Sequence, residues 1–243
     1  MRRGSFVVSM TLILVLGVHS PALSSTLATC MSTDSDCLAF ARLMETEQYQ
    51  KITELADPMK PYSAEAKAYI GRAYLMLAGQ EGTTPEQEEL YCRKALAFDA
   101  VSAYMGLYFI NADRSPEEAL EYLREYIKTQ PNDPVPYVIL GEAELAQKNY
   151  EPASQYLAKA RSVASGRSAN IDWLLFQASY LAGDFTTASA MLDSSFSQGK
   201  TAGDLNALVS SDPRFFEIGK KSEFRKFFPT MNEAATCRLC SRP

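Results

Sequence analysis

The sequence predicts an all-α chain of stacked helix–turn–helix units closed by a short helical cap. Three observations carry that reading. Lys148-Asn149-Tyr150-Glu151-Pro152-Ala153 and Gly183-Asp184-Phe185-Thr186-Thr187-Ala188 lie 35 residues apart, and each is a turn, an aromatic and an Ala three residues on. Tyr69-Ile70-Gly71-Arg72-Ala73-Tyr74 and Tyr137-Val138-Ile139-Leu140-Gly141-Glu142-Ala143-Glu144-Leu145 share an apolar–Gly step. After these signals Leu and aromatic residues recur at spacings of three and four, which is one face of a helix. Self-similarity at such a period marks a repeat architecture.

Composition sets the outer limits. The 243 residues are 47% hydrophobic and 22% charged, enough apolar material for a sizeable core in one domain or two. Lys and Arg number 24 against 29 Asp and Glu, a formal charge of −5. That balance argues against nucleic acid, which needs a basic face to displace counterions. The single His excludes His-rich metal sites and leaves a Ser–His–Asp triad one candidate. No Gly-rich phosphate loop, nucleophile elbow or metal-binding helix is present. The chain is expected to bind no cofactor and no metal and to catalyse no reaction.

Residues 1–28 read as an address. Arg2 and Arg3 precede Phe6–Val18, an apolar run of 13 residues, short of the roughly 20 that span a bilayer. A basic start, a short apolar core and small polar residues fit a secretory signal peptide ending near Ser24 or Ala28. An uncleaved anchor and a buried N-terminal helix are the alternatives. Cleavage would remove Arg2, Arg3 and His19, leaving 22 cationic against 29 acidic residues, a charge of −7 and no histidine. Leu27-Ala28-Thr29-Cys30 resembles a bacterial lipoprotein box, with Thr29 where Gly, Ala or Ser is usual; membrane association is expected only if Cys30 is lipidated. The expected location is exported, periplasmic or secreted.

The units follow in order. A degenerate first one, 33–63, has Gln48-Tyr49, Ile52 and Leu55 and ends at Pro58. The 64–99 unit has Ile70-Gly71, Tyr74, Ala95 and Leu96, with Gln80–Pro85 inserted. The 100–133 unit has Ala119, Leu123, Tyr126 and Pro131, with Leu107 at the glycine position. The 134–167 unit has Leu140-Gly141, Ala153, Leu157 and Ala160. The 169–199 unit has Gly183-Asp184-Phe185 and Ala188, with Phe176 at the glycine position. Small residues let paired helices approach, and large ones fill the neighbouring groove. Ser115-Pro116 places Pro at a first helical position, and Asn132-Asp133-Pro134 ends one helix and starts the next. Asp204–Val209 reads as a helix. Phe215, Phe216, Phe224, Phe227 and Phe228 then read as the core of a cap over 201–230, and 231–243 as a tail.

The pattern resembles the tetratricopeptide repeat, a helix–turn–helix unit of about 34 residues, over about 33–199. The resemblance implies a right-handed α-solenoid whose first helices line a concave face. The family positions fall on Ala68, Arg72 and Leu75, then Tyr104, Tyr108 and Asn111, then Val138, Glu142 and Leu145, then Trp173, Gln177 and Tyr180. It implies an aromatic groove with sparse polar points (Arg72, Tyr104, Tyr108, Asn111, Glu142, Trp173, Gln177 and Tyr180) that takes an extended or helical segment of a protein partner. The alternative is that rings such as Tyr104 and Trp173 are inter-helix core. Some eukaryotic members clamp chaperone C-termini with Lys, Arg and Asn; this face has Arg72 and Asn111 but lacks the Lys set.

Five cysteines remain. In an oxidising compartment Cys30, Cys37, Cys237 and Cys240 are disulfide candidates with three possible pairings, of which Cys30–Cys37 and Cys237–Cys240 close the shortest loops. Cys92 is expected to be a buried free thiol. The Cys237/Cys240 pair also admits a thiol–disulfide redox protein. It lacks the His of a haem-attachment motif, since Ser241 stands there. Glu86, Glu88 and Glu89 form an acidic cluster in the inserted loop that reads most simply as a solvated helix start, and Lys220-Lys221 with Arg225-Lys226 form a basic spot on the cap that reads as a solvated face. The sequence therefore points to an exported, non-catalytic interaction scaffold, with a redox protein or a lipid-anchored envelope assembly factor as alternatives.

Overall fold

The computed structural model describes Cys30 and residues 34–228. Eleven α-helices and three 3-10 turns occur among the described residues, and no strand. They fall into two compact units, one ending at Pro131 and the other beginning at Asn132.

The first unit holds α1 (Ser35–Glu45), α2 (Tyr49–Leu55), α3 (Ala64–Ala78), α4 (Pro85–Leu96), α5 (Ala103–Asn111) and α6 (Pro116–Thr129). Each packs on the next, and α1 also reaches α3. Their starts are chemically marked. Asp34 accepts from the Cys37 amide, Ser63 from the Ala66 amide, and Thr84 with Gln87 forms a reciprocal capping box ahead of Pro85. The core joins Cys37, Phe40, Ile52, Tyr69, Ile70, Cys92, Phe98 and Leu107. A Cβ on Gly71 would stand 2.6 Å from the Ala100 Cβ, so only glycine admits that approach. Leu107, at the place expected for glycine, is fully buried. The close approach occurs one residue earlier, where a Cβ on Gly106 would lie 2.8 Å from the Cys92 sulfur.

The second unit holds α7 (Pro134–Ala146), α8 (Tyr150–Val163), α9 (Ala169–Ala182), α10 (Phe185–Ser197) and α11 (Ala202–Ser211). Three 3-10 turns follow, over Pro213–Phe215, Ile218–Lys220 and Ser222–Phe227. Helices α7 to α10 pack in succession, and α7 also touches α9. Gly141 allows close contact with α8, since a Cβ there would lie 2.6 Å from the Leu157 Cγ. Phe176 replaces the expected glycine for a visible reason. Its fully buried ring faces Phe215 at 5.9 Å and Phe224 at 6.2 Å, so a large residue fills the space between the last repeat helices and the cap. The Ser189 hydroxyl donates to the Glu223 carbonyl at 2.8 Å and ties α10 to the same segment.

One turn recurs inside the helix pairs. Glu47, Lys148 and Gly183 have φ of 56°, 65° and 88°. The following amides, Gln48, Asn149 and Asp184, each reach back five residues, to the carbonyls of Leu43, Glu144 and Ser179, at 2.9 Å. This is the Schellman closure of a helix. It delivers Tyr49, Tyr150 and Phe185 to the first position of the next helix.

Candidate functional site

In the first unit the expected groove residues sit on α3 and α5. Helix α5 (Ala103–Asn111) contains no charged residue. Ala103, Gly106, Leu107 and Asn111 are buried, whereas Tyr104, Met105, Tyr108, Phe109 and Ile110 are all part-exposed. A helix apolar all round is normally enclosed; this one leaves aromatic surface open. The Tyr104 ring lies 6.5 Å from Tyr122, and the Tyr108 ring 5.0 Å from Phe109. Arg72 on α3 is half-buried, and its Nε is buried with no acceptor among the described residues. Its charge lies near Tyr49 and Tyr69. Burial raises both phenols, a nearby carboxylate (Glu47 and Glu45 respectively) adds to this, and Arg72 opposes it. Asn111 is not open to a ligand: it is 5% exposed and its Nδ2 donates to the Leu107 carbonyl at 2.9 Å.

The other expected residues lie in the second unit. Glu142 stands exposed on α7. Trp173 is half-buried on α9, with the Phe176 ring at 5.3 Å and the Lys200 Nζ 5.4 Å from its centroid. The Gln177 Nε2 donates to the Trp173 carbonyl at 3.4 Å. Tyr180 belongs to the core rather than to a surface. Its ring stacks on Phe215 at 4.9 Å and meets Phe185 at 5.4 Å and Phe224 at 5.6 Å. Burial accordingly pushes its phenol above the ordinary value.

The acidic cluster stands at a helix start. Glu86, Glu88 and Glu89 lie in the first two turns of α4, not in the inserted loop. Glu86 pairs with Arg114 at 2.6 Å, and Glu89 with Arg93 at 2.7 Å. Arg93 also donates to the Tyr122 hydroxyl at 3.0 Å, which donates to Glu118 at 2.6 Å. In the basic spot on the cap Lys220 pairs with Glu217, Lys226 pairs with Asp193, the Lys221 Nζ lies 4.5 Å from the Phe185 centroid, and Arg225 is exposed.

A buried polar cluster escaped the sequence reading. Asp172, 1% exposed, accepts from Arg161 at 2.6 Å, Ser194 at 2.5 Å and Gln198 at 2.7 Å. Nothing in the sequence marks it, because its other members lie 11 to 26 residues from Asp172 and each alone reads as surface. It joins α8, α9 and the end of α10.

Cys92 is fully buried, and burial, with Glu88 and Glu89 nearby, pushes its thiol up to about 12, so it is no nucleophile at neutral pH. The sulfurs of Cys30 and Cys37 lie at bonding distance, with Cα atoms 5.7 Å apart. Cys237, Cys240 and residues 1–28 lie outside the described residues. Among the described residues, no group of three or more His, Cys, Asp or Glu could hold a metal, and no helix is long and apolar enough to cross a membrane.

No protein-family model and no curated protein matches the chain. Solved structures similar to it include the MamA protein and PilW. The MamA protein is 13% identical, with 88% of this chain and 96% of that one covered and a TM-score of 0.41. PilW, described as a widely conserved type IV pilus biogenesis factor, is 18% identical, with 88% and 99% covered and a TM-score of 0.40.

Proposed function

We propose that this chain is an exported, non-catalytic interaction scaffold of the tetratricopeptide type, in which an aromatic face takes an extended or helical segment of a protein partner. The observation that carries the reading is α5. Among the described residues it is a helix without charge whose Tyr104 and Tyr108 are left part-exposed. Tyrosine gives large contact area at low entropic cost and keeps a polar tip, which suits a reusable protein-binding face. Arg72, half-buried on α3, is proposed as a polar anchor. Trp173 and Gln177 are proposed for the corresponding face of the second unit. Residues 1–28 are proposed as the signal that delivers the chain to the envelope or beyond.

The test is Tyr104→Ala with Tyr108→Ala, read by thermal melting and by binding to a partner identified by cross-linking. The reading expects binding to weaken by about tenfold or more, as truncated interface tyrosines do, with the melting temperature lowered by less than about 5 °C. A collapse in melting temperature with unchanged affinity at low temperature would make both rings core.

A further inference from the structure

We propose that the Cys30 sulfur is committed to a disulfide with Cys37 that fixes the start of α1 on the core of the first unit, so that Cys30 carries no lipid. The inference is independent of the partner-binding reading. The Cα separation of 5.7 Å sits within the range a disulfide spans, about 4.4–6.8 Å. Cys37 is fully buried on α1 among Phe40, Ile52, Tyr69 and Ile70, and Cys30 packs against that cluster.

The short loop between them performs a second task. The Asp34 carboxylate accepts from the Cys37 amide at 2.9 Å and from the Ser63 hydroxyl at 2.5 Å. The Ser63 oxygen in turn accepts from the Ala66 amide at 3.1 Å. The N-caps of α1 and α3 are thus one hydrogen-bonded chain, and the Cys30–Cys37 link closes the loop that holds Asp34 in place. Lys60 and Asp36, 2.7 Å apart, brace the same corner.

The start of α1 needs such a staple. Helix α2 has seven residues and buries only Ile52; α1 buries only Cys37 and Phe40. Leu38 and Leu55 remain exposed. Helices this short are marginal without strong packing, and a link over residues 30–37 offsets the entropy of ordering the first turn of α1.

The chemistry balances. The two thiols lose two protons and two electrons to an oxidised disulfide, such as glutathione disulfide, which leaves as two thiols. Lipidation would place a thioether on the same Cys30 sulfur, so the two modifications exclude each other.

The experiment uses the chain with Cys237→Ser and Cys240→Ser, purified from its native host and equilibrated with glutathione disulfide. The expected mass is two hydrogens below the thiol form, with residues 30 and 37 linked in a non-reducing digest and no lipid. On reduction, amide exchange over Ser35–Glu45 should quicken by about tenfold or more while Ala169–Ser197 stays unchanged. Cys30→Ser, which leaves the buried Cys37 in place, should reproduce the effect without reductant. A lipid thioether on Cys30, free thiols at both positions, or exchange unmoved by reduction and by Cys30→Ser would overturn the proposal.

Discussion

The Nε of Arg161 donates to the Asp172 carboxylate across 2.6 Å, and the carboxylate is 1% exposed while the arginine is 41% exposed. The pair is therefore lopsided. Asp172 has left water entirely and depends on Arg161, Ser194 and Gln198, whereas Arg161 keeps much of its hydration. Asp172→Ala leaves three donors without their acceptor and is expected to cost about 3 kcal/mol. Arg161→Ala leaves the carboxylate two donors and frees an already wet side chain, so about 1–2 kcal/mol is expected. Urea unfolding of both variants checks the order; equal losses would contradict it.

The left-handed turn residues give a prediction of opposite sign. Lys148 and Glu47 hold the conformation that Gly183 holds with no steric penalty. Lys148→Gly and Glu47→Gly are each expected to stabilise by about 0.5–1 kcal/mol. Gly183→Ala is expected to cost about 1 kcal/mol through backbone strain alone, because a Cβ there meets nothing within 4 Å. Denaturation midpoints of the three variants decide the matter.

Close helix contacts should fail for a different reason. At Gly71 a Cβ meets another Cβ, on Ala100, and the backbone must move; at Gly141 it meets the Leu157 side chain, which can rotate at some cost. Gly71→Ala is expected to cost about 2–3 kcal/mol and Gly141→Ala about 1–2. Gly106→Ala should be partly rescued by Cys92→Ala, since the obstructing atom is the Cys92 sulfur 2.8 Å away.

Alkaline pH offers a further check. Cys92 stays protonated in the fold up to about 12, whereas the unfolded thiol ionises from 9.0. The folded chain then binds more protons than the unfolded one, so stability falls as pH rises from 9 toward 12, by about 3 kcal/mol at pH 11. Burial raises Tyr74 and Tyr180 as well, in the same direction. Stability measured from pH 8 to pH 11 should fall, and less steeply in Cys92→Ala; an equal slope would show that Cys92 is not the group involved.

The helical frame was legible because local signals and period agree at the same places. Pro116 and Pro134 begin helices, and Gly71 and Gly141 mark close approaches. Phe176 and Tyr180 were harder, because spacing of three and four puts residues on a face but does not say what covers it; the cap covers both rings. Asn111 misled for a similar reason, since its amide turned back onto its own helix. Gly106 was passed over for Leu107, one residue away, because a family register has no view of where the Cys92 sulfur lies. The Asp172 cluster was illegible for lack of any local signature.

The most direct test of the account places a photo-activatable cross-linker at position 108 on α5 and, in a second protein, at exposed position 155 on α8. The account predicts that the position 108 protein joins one defined partner segment, and that Arg72→Ala with Tyr104→Ala abolishes the adduct. It predicts no such adduct from position 155. Equal capture at both positions, or a position 108 adduct indifferent to Arg72 and Tyr104, would contradict it.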